Sequence, residues 1–232
     1  DNRRQRQMCI RDSSKGHSAI ALYTMLVLRG YFPVEELLTF DGINSRLQGH
    51  PDMTATPGVD MSSGSLGLGF AAALGIALGA RAEGRDFTTY VMLGDGECNE
   101  GVVWEGAHVA ARYGLDNIIA IVDHNKLQQF GWTGASVEER ITPYTENQLA
   151  DRWRAFGWHV IEVDGHDIPA FLDAMEEAGG VEGKPVAVIA HTIKGKGVSY
   201  MEGNYTWHSK VPTDEEFVVA MAELGETAGG AA

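Results

Sequence analysis

The 232-residue sequence has only two cysteines, Cys9 and Cys98, too few for a disulfide framework and without the spacing of a metal-ligand pair. That fits a reducing compartment, and a cytoplasmic location is expected. No signal peptide and no long apolar span are read. The longest weakly polar run, Leu66 to Ala82, is built of glycine, alanine and leucine and is too short and too small in its side chains to make a membrane helix. Positive charge is scarce as well: 18 lysines and arginines face 32 acids, and the formal charge of −14 disfavours non-specific attraction to nucleic acid or to an anionic membrane surface. Neither is expected as a partner, although a local basic pocket for a small anion stays open.

Among what is present, glycine stands out, at 29 of 232 residues, about 12% against roughly 7% in average usage. These glycines lie among apolar and helix-forming residues, so they read as tight turns and close backbone approaches and not as disorder. Length and a 44% hydrophobic content suffice for one domain, taken as residues 1–232. Residues 1–15, polar and without apolar periodicity, are expected to be irregular, and the Gly/Ala tail at 225–232 disordered. "SAIALYTMLVL", from Ser18 to Leu28, predicts a buried helix and "VEELLTF" a short one after Pro33, whereas Asp41 to Ser63 is turn-rich and predicts a long surface loop. After an Ala/Gly/Leu helix over Phe70 to Ala82, strands and helices alternate: "TTYVML", helix Val102 to Tyr113, "NIIAIVD", helix Glu146 to Phe156, "WHVIEV", helix Pro169 to Ala178, "PVAVIAHT", and a last helix from Asp214 to Leu224. Such alternation predicts an α/β fold, a parallel sheet with right-handed crossovers and helices on both faces.

In a sheet of that kind ligands bind outside the carboxyl ends of the strands, so the loops "GDGECNEG", "DHNKLQQFG", "DGHD" and "HTIKGKG" are where chemistry is expected. In the first, Gly94 and Gly96 flank Asp95 between a strand and a helix, which sets backbone amides beside one carboxylate. Amides favour phosphate. The carboxylate repels it unless a divalent cation lies between, and a hard cation such as Mg²⁺ takes oxygen ligands from protein, phosphate and water. Asn125 and a carbonyl near Leu127, in the second loop, supply further oxygens. Singly, each loop reads as an ordinary turn, because Gly and Asp dominate turns for backbone reasons; the pair, one strand-helix-strand crossover apart, is more specific.

Asn125 follows Gly96 with 28 residues between, a spacing that resembles the thiamine diphosphate motif. "SSKGHSAIALYTMLVLRGY", "SRLQGHPDMTATPGVDMSSGSLGLG", the segment from "GDGECNEG" to "DHNKLQ", "FGWHVIEVDGHD" and "HTIKGKGVSYMEG" sharpen the likeness to the N-terminal half of the transketolases, over roughly Ser13 to Glu223. The length is similar to that of split transketolases, whose two halves are separate polypeptides. The resemblance implies the diphosphate-binding domain fold, thiamine diphosphate with Mg²⁺ (or Ca²⁺), and transfer of a two-carbon ketol unit from a ketose, phosphorylated in the expected case, to an aldose acceptor. By position it implies that Asp95, Asn125 and the carbonyl of Leu127 hold the metal, with Gly94, Gly96 and Glu97 beside the diphosphate. It further implies that His17 and His208 face the diphosphate or the reacting carbons, that His50 faces the donor's hydroxyls, and that Gly64 and Leu66 line the thiamine. Glu100 and Glu105 match acids near a subunit interface. Imidazoles titrate near neutrality and suit a reaction that moves protons on and off hydroxyls, so His17, His50 and His208 are the candidate catalytic residues. His108, His124, His159, His166 and His191 read as structural.

The likeness has gaps. A segment before "SKGH", with its own Gly-His-Pro motif and a helix pair, is missing, and one active-site histidine with it. Leu68 stands where glutamine is typical, Ser209 where glycine usually follows the histidine, and Phe130 and Trp132 where acidic or small residues are commoner, which reshapes the mouth of the pocket. Asp167 reads as a helix cap before Pro169 at the first helical position, Lys194 and Lys196 as phosphate contacts or a solvated turn, Trp104 and Trp153 as core or interface, and Cys98 has no implied role. The pyrimidine-binding domain and its activating glutamate belong to the half this chain lacks. The resemblance therefore implies a C-terminal partner subunit, a heterotetramer, and no activity from this chain alone. Two other functions stay open: a subunit of another thiamine diphosphate enzyme, similar to a deoxyxylulose phosphate synthase or a 2-oxo acid dehydrogenase, and a non-catalytic interaction subunit.

Overall fold

The computed structural model describes residues 9–128, 148–208 and 210–225. Five strands, β1 (Cys9–Ser13), β2 (Thr88–Gly94), β3 (Ile118–His124), β4 (His159–Asp164) and β5 (Val186–His191), form one sheet in the order β1-β2-β3-β5-β4, and every pairing is parallel. The helices are α1 (Ala19–Leu28), α2 (Leu68–Ala82), α3 (Gly101–Tyr113), α4 (Gln148–Ala155), α5 (Ile168–Gly179) and α6 (Asp214–Glu223). None of them is long and apolar enough to cross a membrane.

Helices cover both faces, as the alternation of elements predicts. On one face α2, α3 and α4 bring Phe70, Leu74, Val103, Leu149 and Trp153 onto Val91, Leu93, Ala120, Val122 and Ile189. On the other, α5 lays Ala174 and Ala178 on Ile119, Val186 and Val188. β5 lies between two strands and two layers, which is why Val186 to Ala190 is an unbroken apolar run with every residue buried. Helices α2 and α3 approach closely at Gly106, where a Cβ would stand 2.5 Å from Leu74 Cδ1 and 3.0 Å from Phe70 Cε1. A separate cluster of Tyr23, Leu26, Phe32, Leu47 and Val59 pins the long 41–63 loop onto α1, helped by the Tyr23 hydroxyl donating to the Gln48 carbonyl at 2.8 Å.

Three expectations need correction. The irregular start does not extend to residue 15, because Cys9–Ser13 pairs with β2 from Thr88 to Met92 as a parallel edge strand. An edge strand is held by one ladder of backbone hydrogen bonds and does not need the apolar run that marks inner strands. Helix α1 is buried only along Ala19, Tyr23 and Leu26, while Ile20, Met25 and Leu28 are exposed. Its sequence is apolar on all sides, but a single loop packs on it. Pro169 sits at the second position of α5, not the first; Asp167 does cap that helix, accepting from the Ala170 N–H at 3.0 Å. Phe130, Trp132 and most of the expected tail lie outside the described residues.

Candidate active site

Strands β2 and β3 are neighbours in register, Gly94 opposite Asp123, so the loops leaving their carboxyl ends start side by side. Asp95 joins them. Its side chain, in a residue 2% exposed, accepts from the Gly96 N–H and from the Lys126 N–H, each at 2.8 Å. Lys126 has φ +63°, a left-handed conformation that side chains rarely adopt, and this turns the chain so that Asn125 and Leu127 both line the cleft beside Asp95. Burial raises the Asp95 carboxyl above its ordinary range, and nearby Asp123 adds to that against the hydrogen bonds and Lys15. A buried carboxylate under that pressure gains from a cation. Asn125 donates to Asp123 Oδ2 at 3.0 Å and accepts from the Leu127 N–H at 2.9 Å. Asp123 also takes hydrogen bonds from Lys15 Nζ and Thr192 Oγ1. Burial pushes its carboxyl up, but Lys15 and those donors outweigh it and hold it below the usual range.

Three histidines reach the same cleft from different elements. His17 lies in a 3₁₀ turn, Gly16–Ser18, ahead of α1. A Cβ at Gly16 would stand 3.1 Å from each of Gly64 N, His50 Cδ2 and Ser63 Oγ, so a glycine there lets the His17 turn close against the His50 and Gly64 loop. His208 ends the Tyr205–His208 turn, and its ring centroid is 5.1 Å from that of His17. Desolvation and then Lys15, His208, Lys194 and His50 lower His17 to about 4; desolvation, Lys194 and Lys15 lower His208. Lys194 is lowered in turn, by burial and by Lys15. Cationic groups that depress one another's proton affinity form a place that an anion relieves.

The cleft has a volume of about 450 Å³. It brings together every residue singled out in the sequence: His17, His50, Gly64, Leu66, Gly94, Asp95, Gly96, Glu97, Asn125, Leu127 and His208. Lys194 and Glu100 line it too, whereas Glu105 is exposed on α3 and Leu68 begins α2 on the surface. Lys15, Asn99 and Gln128 also line it and were not singled out, although each adjoins or shares a motif that was. The idea that Gly94 and Gly96 offer free amides to a phosphate needs revision, because the Gly94 N–H already donates to Glu97 Oε2 at 3.2 Å and the Gly96 N–H to Asp95. What these glycines leave is room: a Cβ would be no nearer than 3.6 Å to Lys15 at Gly94 or to Gln128 at Gly96. Cys98 is fully buried, and burial with Glu97 and Asp95 beside it raises its thiol well above the ordinary value, so no thiolate forms at the start of α3. His159 and His191 pair with Glu177 and Glu162, His166 accepts from the Ile193 N–H, and His124 is buried with its ring 5.2 Å from that of His191.

A parallel α/β sheet with oxygen donors, lysines and histidines gathered at its strand ends defines a domain of the cofactor-diphosphate-binding class. The family described as "Transketolase, thiamine diphosphate binding domain" matches residues 4–228. A 6-deoxy-6-sulfo-D-fructose transketolase subunit from Clostridium sp. is 44% identical over 211 residues, 91% of this chain and 74% of its own length. An apulose-4-phosphate transketolase chain, likewise one component of a divided enzyme, from Actinobacillus succinogenes is 43% identical over the same shares. The transketolase of Campylobacter jejuni superposes with a TM-score of 0.84 at 30% identity, over 95% of this chain and 34% of that one. The chain thus belongs to the transketolase thiamine diphosphate-binding family, and it spans about a third of the length of that solved transketolase.

Proposed function

We propose that the chain is the N-terminal, cofactor-diphosphate-binding subunit of a two-component transketolase, which moves a two-carbon ketol unit from a ketose, phosphorylated or similarly substituted, to an aldose. Its partner carries the pyrimidine-binding half, and two of each chain assemble as a heterotetramer in the cytoplasm. The observation that carries this reading is the joining of Asp95, Asn125 and Leu127 in one cleft with His17, His50 and His208.

The donor set suits a hard cation. A buried carboxylate whose proton affinity is raised, an amide oxygen and a main-chain carbonyl are all oxygen donors of the kind Mg²⁺ takes, with phosphate oxygens and water completing its shell. Asp95, Asn125 and the Leu127 carbonyl would hold it, and Lys15 and Lys194 would face the diphosphate's remaining charge. When bound, thiamine diphosphate supplies the electron sink that breaking a carbon-carbon bond of a ketose requires. The chain's own task is to hold that group, to exclude water and to move protons. His17 and His208, both lowered, are neutral at pH 7 and are free to accept a proton from a sugar hydroxyl.

The test is donor choice by the complex with the C-terminal-half subunit. A ketose phosphate consumed with an aldose acceptor, Mg²⁺ dependence, and loss of turnover in Asp95→Ala support the proposal. Turnover of a 2-oxo acid in place of the ketose, or Asp95→Ala acting like the wild type, overturns it.

A further inference from the structure

Glu97 lines the cleft, yet its carboxylate is turned into the protein. It is 2% exposed, and the partners of its two oxygens are neutral groups from three separate segments. Oε1 accepts from the Ser14 hydroxyl and from the Gly67 N–H at 2.7 Å, and Oε2 accepts from the Gly94 N–H at 3.2 Å. Ser14 follows β1 and leads through Lys15 and Gly16 to His17. Gly67 ends the loop that carries Gly64 and Leu66, and Gly94 ends β2 beside Asp95. Each donor stands where its segment leaves or enters regular structure, so the ladders of the sheet do not fix the three loops relative to one another. Gly67, with φ +79°, also gives α2 no side-chain cap; the Phe70 N–H in the first turn of that helix donates instead to Ser14 Oγ at 3.0 Å. A Cβ at Gly69 would stand 2.6 Å from Ser14 Cα, so Ser14 is wedged between α2 and the carboxylate.

We propose that Glu97 is a positioning residue, its carboxylate holding the His17, Leu66 and Asp95 segments in the one register that binds thiamine diphosphate and its cation. The proposal rests on the cofactor reading above. What matters is the charge state and valency of the group, not its volume. Glutamine has nearly the same shape but a single acceptor oxygen. With its amide nitrogen in the place of Oε2, the Gly94 N–H is orphaned; with it in the place of Oε1, the Gly67 N–H is. Either way one buried donor loses its partner, which the protein avoids by letting that loop move. Aspartate, one methylene shorter, cannot span from Ser14 and Gly67 to Gly94. Supporting groups of this kind around a metal site are commonly worth about 10- to 100-fold in affinity.

The experiment compares wild type, Glu97→Gln and Ser14→Ala as full chains assembled with the partner subunit. Calorimetry gives the Kd for thiamine diphosphate in the presence of Mg²⁺, and amide hydrogen exchange follows the loops. In Glu97→Gln the Kd is expected to rise about 10- to 100-fold, with faster exchange at Gly67 and Gly94 and unchanged exchange across β3 and β5. A wild-type Kd in this variant overturns the proposal, as does faster exchange throughout the sheet, which marks a core residue with no positioning role. Should Glu97→Gln not assemble, Ser14→Ala decides: it removes one donor and keeps the carboxylate, so a severalfold weaker Kd with faster exchange at Gly67 supports the proposal and a wild-type Kd overturns it. If the wild-type complex itself binds no thiamine diphosphate, the cofactor reading fails instead.

Discussion

The side-chain nitrogen of Asn125 lies 3.0 Å from Oδ2 of Asp123, and this contact decides which way the Asn125 amide faces. A carboxylate only accepts, so the NH₂ must point to Asp123, and the Asn125 oxygen is left on the side of the Leu127 N–H and the cleft. Asp123 is in turn held charged by Lys15 and by hydrogen bonds from Thr192 and Asn125. Asp123→Asn is therefore expected to weaken Mg²⁺ binding in the complex by about 10- to 100-fold, read by titrating the metal into cofactor-loaded, chelator-treated protein. Because Lys15 also loses its carboxylate in a largely buried setting, stability should fall by on the order of 3 kcal/mol.

Gly106 tests the packing of α2 on α3. With Leu74 Cδ1 only 2.5 Å from where a Cβ would be, Gly106→Ala must move a core side chain, at a cost of about 1–3 kcal/mol. Urea unfolding should show a lower midpoint at unchanged slope.

Two histidines set a pH dependence of stability. His17 and His124 are each lowered from 6.5 to about 4, both first by desolvation, His124 next by His191. A folded-state pKa below the unfolded one means that the unfolded chain binds more protons between these values, so stability rises with pH across that window and is lost as pH falls from 6.5 toward 4. The melting temperature is expected to be lower at pH 5 than at pH 7. His124→Phe, which removes a buried ring with neither nitrogen hydrogen-bonded, should flatten the slope, as followed by circular dichroism.

Cys98 is expected to stay unmodified by an alkylating reagent at pH 8 in the folded chain and to react once it is unfolded. Its buried thiol has a proton affinity well above the ordinary value, and the thiolate is the reactive form. Peptide mass spectrometry reads this directly.

Much of the fold was legible because period and composition report burial. The run Val186 to Ala190 is apolar throughout since both faces of β5 are covered, and each crossover helix announced itself by its spacing. β1 was not legible, since Cys9–Ser13 mixes charge and apolar residues and is recruited by β2 from one side. The exposed side of α1 was not legible either, because an apolar helix reads as buried whether or not something lies against it. In the site, Asp95 and Asn125 could be read from strand, turn and spacing. Lys15 could have been, standing two residues before His17. The brace at Glu97 could not: its donors come from residues 14, 67 and 94, and only folding brings such distant positions to one carboxylate.

The central claim is that this chain holds half of a shared active site, and ketol transfer by the separate and the combined chains tests it most directly. The purified chain, given thiamine diphosphate, Mg²⁺, a ketose phosphate and an aldose, should show no transfer, and adding the C-terminal-half subunit should start it, with loss in Asp95→Ala. Transfer by the chain alone, or none after the partner is added, would contradict the account.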